Sequence, residues 1–327
     1  MLFSSAFILP NFRHTYTNRE VTRIVWSSDM LGYEELDTRQ EGLELGGRIP
    51  LLNGYTSPVQ TRVNNAIDCA VASKISNARD MRARSLFFEF ESYFSDPYMS
   101  IILKSTTESA SSKTEVVSIN FNTDTGSLVT AEDVVGPQVV QLAERLIIEM
   151  IRRNPVHFNP SFAGIRTEQA FSLTDREISF WFDEFQLVAG SGGVETLSLQ
   201  RNSIKEIELT KNEYHIREGF NLKMIPLRQV AESLGYSVEW CEETLSASVY
   251  HNGELVIELK IGVNDYVREG RFTRSLEAAP ERRYGHVYVP ISFFDQILSL
   301  VAFTIDERDN ITFASYPVTD AWFEPFF

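Results

Sequence analysis

Histidine and cysteine are scarce in this chain, and their scarcity limits its chemistry. The five histidines are His14, His157, His215, His251 and His286. None forms the His-x-His or His-x-x-x-His pair that brings two imidazoles onto one metal ion, so no metal site is expected. The two cysteines, Cys69 and Cys241, lie far apart. They read as separate thiols, with their pairing left open, and do not settle the redox compartment. Basic residues are also short: 30 Lys and Arg against 45 Asp and Glu give a net charge of −15. That excludes a nucleic-acid partner, which needs clustered Lys and Arg, and peripheral docking on anionic lipid. Long apolar runs are missing. Leu146-Ile147-Ile148 is typical, whereas a membrane span needs about 20 residues. Met1 to Pro10 is apolar but lacks a basic leader and is soon followed by Arg13 and His14. It is a poor secretion signal, so the chain is either cytosolic or begins after or inside a targeting segment.

What is present suffices for packed cores. A hydrophobic content of 43% with 12% aromatics argues against disorder, and 327 residues allow two domains. The most legible stretch is Met224 to Trp240. Pro226 suits the first position of a helix; Leu227, Val230, Ala231 and Leu234 form one helical stripe. Gly235 stands where a helix exits through a left-handed residue. Tyr236, Val238 and Trp240 then alternate with Ser237 and Glu239, as in a half-buried strand. A degenerate copy returns at Val289 to Leu298, with Pro290 for Pro226, Phe294 for Val230 and Leu298 for Leu234. Two copies are too few for a solenoid and suit one domain with a duplicated helix-and-strand unit.

Taken in order, Val21–Trp26 reads as a first strand and Ser27 to Gly47 as a polar, partly irregular stretch. Ile49-Pro50-Leu51-Leu52 is extended, and Asn53-Gly54 turns the chain. Ser57 and Pro58 make an N-cap and N1 pair. They open a helix to about Met81, with Val59, Val63, Ile67, Ala70, Val71 and Ile75 on its apolar stripe. Strands are expected at Ser85–Phe94, Tyr98–Lys104 and Glu115–Phe121. A second helix starts at Pro137, buries Val139, Leu142, Ala143, Leu146, Ile147, Met150 and Ile151, and ends at Asn154-Pro155. Asn154 to Gln169 reads as loop, followed by strands at Ala170–Leu173, Ile178–Phe182 and Val194–Leu199, and a linker at Gln200 to Ser203. Beyond it, Asn252-Gly253 signals a two-residue hairpin, and a last hairpin turns at Asp309-Asn310. The aromatic tail Trp322 to Phe327 is expected to dock on its own chain. The expected fold class is α+β, in two domains, 1–202 and 203–327, each an antiparallel sheet packed on one or two helices.

Few constellations could carry chemistry. Asn120, Asn122 and Asp124 offer alternating oxygens, but Gly126 comes one residue late for a calcium loop and Ala131 occupies its twelfth position, so a plain turn is expected. Asp183 and Glu184 follow Phe180-Trp181-Phe182. Acids beside aromatics can mark a sugar cleft; a strand with its aromatics in a core and its acids in water is the plainer reading. Gly190 to Gly193 lacks a following Lys-Ser/Thr and reads as loop. No nucleophile elbow, P-loop or zinc-protease helix occurs.

Two resemblances follow. Ile225-Pro226-Leu227-Arg228, Ala231-Glu232, Leu234-Gly235, Val238-Glu239-Trp240, Ile261-Gly262 and Tyr288-Val289-Pro290 resemble the copper amine oxidase N-terminal-like domain, a module of bacterial envelope proteins. The resemblance covers roughly Ile204 to Phe313 and implies a small, twisted antiparallel sheet curled around a helix. It is to the non-catalytic stalk: catalysis would need three histidine ligands and an Asn-Tyr-Asp/Glu setting, which this chain lacks, so no cofactor is expected. The first half, roughly Glu20 to Leu199, resembles the extracytoplasmic domain of a lysozyme-responsive anti-sigma factor and the N-terminal region of a peptidoglycan deacetylase. The match is carried by Ile49-Pro50-Leu51 with Gly54, Gln60 with Asn64 and Ile67, Ser118-Ile119-Asn120-Phe121 with Asp124-Thr125-Gly126 and Asp133, and Phe171 to Asp175 through Phe180, Phe185 and Gly190. It departs at Glu108 to Lys113, where many relatives carry a Gly-Gly-Ala-His-like segment, and at Phe185, often Tyr.

The resemblances imply a non-catalytic, extracytoplasmic protein of the cell wall or a secreted one, binding a wall polymer or an extracellular protein through strand edges and loops. The alternatives are a hydrolase of envelope glycans, or a deacetylase-associated enzyme, using Asp183 and Glu184, and a sensor domain recognising a lysozyme-like protein. No catalytic, metal or cofactor-binding residue is assigned, and the ligand-binding residues are open.

Overall fold

The structure is a computed structural model that describes residues 23–26, 30–190, 193–217, 219–268, 271–298 and 300–317. It is mixed α+β, with mainly antiparallel sheets and few helices. The chain opens with β1 (Arg23–Trp26), β2 (Leu31–Gln40) and β3 (Leu43–Leu52). The stretch read as partly irregular is therefore, from Leu31 on, a long hairpin, a correction with a clear cause. Glu34 and Leu36 of β2 face inward opposite Ile49 and Gly47, while Glu35, Asp37 and Arg39 stand on the other face. A strand with one wet face can be this polar. Glu41 and Gly42 both have positive φ, at +50° and +90°, which suits the two-residue hairpin turn joining them.

Helix α1 (Ser57–Asp80) follows and buries the expected stripe, from Val59 to Ile75, on one face of the sheet. Its N-cap is Thr56 rather than Ser57, with Pro58 in the first turn. β4 (Ser85–Ser95), β5 (Tyr98–Glu108) and β6 (Ser112–Asn122) complete a six-stranded sheet in chain order. All its pairs are antiparallel except β3 with β4, which run parallel over Glu44–Gly47 and Ser85–Phe88.

α2 (Ala131–Val135) is held by a capping box in which Thr130 and Asp133 satisfy each other's backbone N–H. The connection to α3 (Pro137–Arg153) is Gly136, at φ +83°. α3 buries Val139, Val140, Leu142, Ala143, Leu146, Ile147 and Met150. At 100° per residue these span roughly 160° of the helix surface, wider than one packing face requires. The reason lies in what it touches. On one side is the sheet of β7 (Phe171–Leu173), β8 (Glu177–Phe182) and β9 (Glu195–Gln200), which itself lies over the second face of the large sheet. On the other is a sheet from the far end of the chain.

The second half contributes β10 (Lys205–Leu209), β11 (His215–Arg217), β12 (Leu222–Pro226), α4 (Leu227–Ser233), β13 (Ser237–Cys241), β14 (Ser246–His251), β15 (Glu254–Lys260), β16 (Tyr266–Arg268), β17 (Arg271–Arg274), β18 (Glu281–Arg283), β19 (His286–Pro290), α5 (Ser292–Gln296), β20 (Val301–Ile305) and β21 (Ile311–Ser315). The duplicated units meet directly: β12 and β19 are antiparallel neighbours, with Ile225 opposite Val289. α4 starts one residue later than expected, because Pro226 still belongs to β12 and caps the helix. Gly235 leaves it at φ +93° as anticipated. Asn252 and Gly253, at φ +51° and +81°, form the predicted hairpin turn.

β10, β21 and β20 form a three-stranded sheet buried on both faces. Val301, Ile311 and Phe313 join the core around α4 and α5. Ala302 and Ala314, paired in register, turn the other way and join Leu300 and Tyr316 in the core around α3. Small side chains there let the helix approach the sheet. The stretch read as a linker is ordered by its contacts. The N–H of Gln200 donates to the Tyr316 hydroxyl, and the Arg201 guanidinium donates to Ser95 Oγ and the Thr174 carbonyl. No helix among the described residues is long and apolar enough to cross a membrane. The aromatic tail lies outside the described residues.

Candidate functional site

The acid pair was the best catalytic candidate in the sequence, and the fold gives it another task. β6 is the last strand of the large sheet, so among the described residues no strand of a sheet pairs with its outer side. The segment after β8 runs along that side. Asp183 Oδ1 accepts from the N–H of Val116, and Glu184 Oε2 from the N–H of Thr114, both at 2.8 Å. The N–H of Glu184 in turn donates to the Thr114 carbonyl at 3.0 Å. The two carboxylates thus substitute for a seventh strand, while Phe180, Trp181 and Phe182 are buried. Asp183→Ala leaves the Val116 N–H without its partner and is expected to lower stability by about 1–3 kcal/mol, read as a lower urea midpoint. An unchanged midpoint would remove this role.

His215 and His251 each pack against a tyrosine ring. His215 places Nε2 2.7 Å from Glu281 Oε1 and Nδ1 3.2 Å from an Arg283 nitrogen, with its ring edge-on to Tyr288 at 4.8 Å. The contact joins β11 to β18, the two outer strands of the sheet containing β12 and β19. Burial, and the neighbouring Arg283 charge, hold its pKa below the ordinary value against the pull of Glu281. His251 packs 4.8 Å from Tyr236. Burial, then the charge of Lys205, lowers its pKa from 6.5. As pH falls, the unfolded chain binds that proton first. The contribution of neutral His251 is therefore full above about pH 6.5 and lost progressively below it. His251→Gln is expected to flatten the stability curve between about pH 6.5 and 5; an identical acid slope in urea titrations would contradict this.

In the turn proposed as a poor calcium loop, Asn122 Oδ1 accepts from the N–H groups of Asp124 and Thr125, which commits that oxygen to the turn. Cys69 and Cys241 are both exposed free thiols.

A further feature, not legible in the sequence, is an open groove. It encloses about 560 Å³ between the outer stripe of α3, namely Gln141, Glu144, Arg145, Ile148 and Glu149, and a wall of Asp295, Gln296, Ile297, Leu298 and Leu300. Arg145 bridges it, donating to the Asp295 carbonyl at 2.6 Å and to its Oδ2 at 3.3 Å. Burial raises the Asp295 pKa despite Arg145, and its Oδ1 is buried without a hydrogen-bond partner among the described residues. The helical spacing of the α3 stripe was visible in sequence; its opposite wall, some 150 residues on, was not. A smaller pocket of about 80 Å³ lies under Trp240, whose ring carries the Arg282 guanidinium at 5.1 Å.

About a third of the chain matches a known protein family. Residues 206–311 match the copper amine oxidase N-terminal domain. A protein of Brevibacillus choshinensis named protease inhibitor is 32% identical over 125 residues. That alignment covers 36% of this chain and 38% of the relative's length. Two solved structures described as DUF3298 family members are also similar. The one from Bacteroides fragilis has 8% identity and a TM-score of 0.35, covering 49% of this chain and 82% of its own. The one from Pseudomonas aeruginosa has 14% identity and a TM-score of 0.36, covering 53% and 88%.

Proposed function

We propose that the chain is a non-catalytic binding protein acting outside the cytoplasm, and that its ligand is a protein. The observation that carries this reading is the commitment of Asp183 and Glu184 to the backbone of β6. Carboxylates that hold N–H groups along a strand edge are not poised to pass protons to a sugar. The match of residues 206–311 to a domain named after a non-catalytic stalk agrees with it, as does the first half's resemblance to extracytoplasmic sensor domains. The Brevibacillus choshinensis relative's name points to a protease as the class of protein ligand; a wall polymer is the other candidate.

The test is inhibition. The full chain is titrated into serine, cysteine, aspartic and metalloproteases while peptide hydrolysis is followed, and passed over immobilised peptidoglycan fragments in parallel. A stoichiometric fall in the activity of one protease class, with the chain recovered uncut, is expected. Retention on wall polymer alone would move the ligand assignment to the polymer. Failure to bind any of these would overturn the reading.

A further inference from the structure

The large sheet is split along part of its length. β3 and β4 pair only as far as Gly47 and Phe88. Beyond that point β3 stays with β2 to Leu52, and β4 stays with β5 to Ser95. Gly47 marks the parting: its φ is +99°, and a Cβ there would lie 2.0 Å from the Phe88 carbonyl oxygen. The Tyr33 and Phe90 rings, 6.3 Å apart, stand at the vertex. Among the described residues no strand pairs with Glu89–Ser95 on the side that β3 has left.

The direction of the open backbone groups follows from one bond. The N–H of Glu44 donates to the Arg84 carbonyl, so by strand alternation the even-numbered residues of β4 turn their N–H and C=O groups toward β3. Past the split these are Phe90, Ser92 and Phe94. Side chains alternate as well. Phe90 lies on the α1 face with Leu86 and Phe88, and Phe94 shares that parity and is 56% exposed. Glu89 and Glu91 stand on the opposite face and are exposed; Glu91 is paired with Lys104 and accepts from the Tyr93 hydroxyl, and Glu89 faces solvent. Natural sheets blunt such an edge with charged side chains, Pro or a bulge; Glu89 to Phe94 contains no Lys or Pro, its charges are Glu89 and the Lys104-paired Glu91, and its register with β5 is unbroken.

We propose that this gap accepts an extended segment of the partner protein as an added strand, with apolar and basic side chains alternating along it. The inference rests on the reading of the ligand as a protein. Backbone groups at Phe90, Ser92 and Phe94 supply the ladder. Alternate side chains of the added strand would lie beside Phe90 and Phe94 on one face and beside Glu89 on the other, which favours apolar and cationic partners respectively. The net charge of −15 favours the same sign of partner.

The experiment titrates the full chain with the synthetic peptide Lys-Val-Lys-Val-Lys-Val. It follows both affinity and amide hydrogen exchange at Phe90, Ser92 and Phe94. Two matched peptides carry N-methyl groups on alternate residues, one in each register. Ser92→Pro removes an N–H from the open edge while sparing the bonds to β5, and Ser92→Ala is its control. Saturable binding is expected, with slowed exchange at the three amides. Affinity should fall roughly tenfold or more in Ser92→Pro and with at least one N-methylated register, and stay at the wild-type level in Ser92→Ala. Slow exchange at these amides before peptide is added, or binding indifferent to both N-methylated registers, would overturn the proposal. If the peptide does not bind but a protease is inhibited equally by wild type and Ser92→Pro, the added-strand inference fails and the protein-binding reading stands. If neither peptide nor protease binds, both fail.

Discussion

Gly47→Ala is expected to destabilise the protein by about 3 kcal/mol or more, one of the largest effects of any single methyl group in this chain. Two terms add. A residue with a Cβ held at φ +99° carries a backbone strain of about 1–3 kcal/mol. The same Cβ would lie 2.0 Å from the Phe88 carbonyl oxygen and 2.7 Å from its nitrogen, atoms of a strand that cannot yield without breaking the β3–β4 pairing. Gly42 supplies the control. It has a similar φ of +90° at a hairpin tip, with nothing within 4 Å of a built Cβ, so Gly42→Ala should cost only the strain, about 1 kcal/mol. Urea unfolding of the two variants separates the terms. Equal midpoints would mean that β3 does not approach β4 as described.

Leu146→Ala should cost about 3–4 kcal/mol and should loosen both halves of the chain together. Leu146 is fully buried on α3, in a core that gathers Phe180, Phe182, Leu197 and Leu199 from the first half and Leu300, Ala302, Ala314 and Tyr316 from the last strands. Large-to-small changes at such sites forfeit transfer energy and leave a cavity. Two reporters read the halves separately: Trp181, packed with Ile102 and Val116 in the first half, and Trp240, against the core of the second. Coincident midpoints for the two in wild type, and coincident shifts in Leu146→Ala, are expected of one shared core. A shift confined to Trp181 would show that β20 and β21 draw little stability from α3.

The sequence analysis read those elements best whose signals are local. α1 and α3 each carry a proline in the first turn and an unbroken apolar stripe, and both stand where expected. The hairpin at Asn252-Gly253 and the paired Ile/Val-Pro units are likewise turn and capping chemistry visible in a few residues. β2 and the first half of β3 were not legible, because a strand with one wet, polar-rich face offers few apolar positions, and Glu34 is itself buried. The two-sided sheet of β10, β20 and β21 was also hidden: alanines at 302 and 314 look unremarkable until α3 is set against them. For the candidate site, sequence placed Asp183 and Glu184 beside buried aromatics but could not supply the strand they cap, which lies some 70 residues earlier.

The central claim is that this acid pair serves structure and not catalysis. The direct measurement compares wild type with the Asp183→Ala, Glu184→Ala double variant on purified peptidoglycan fragments, with urea stability recorded alongside. The account predicts no turnover by either protein, equal binding of whatever ligand the wild type binds, and a clearly lower unfolding midpoint for the variant. Cleavage by the wild type that disappears in the variant, at unchanged stability, would contradict it.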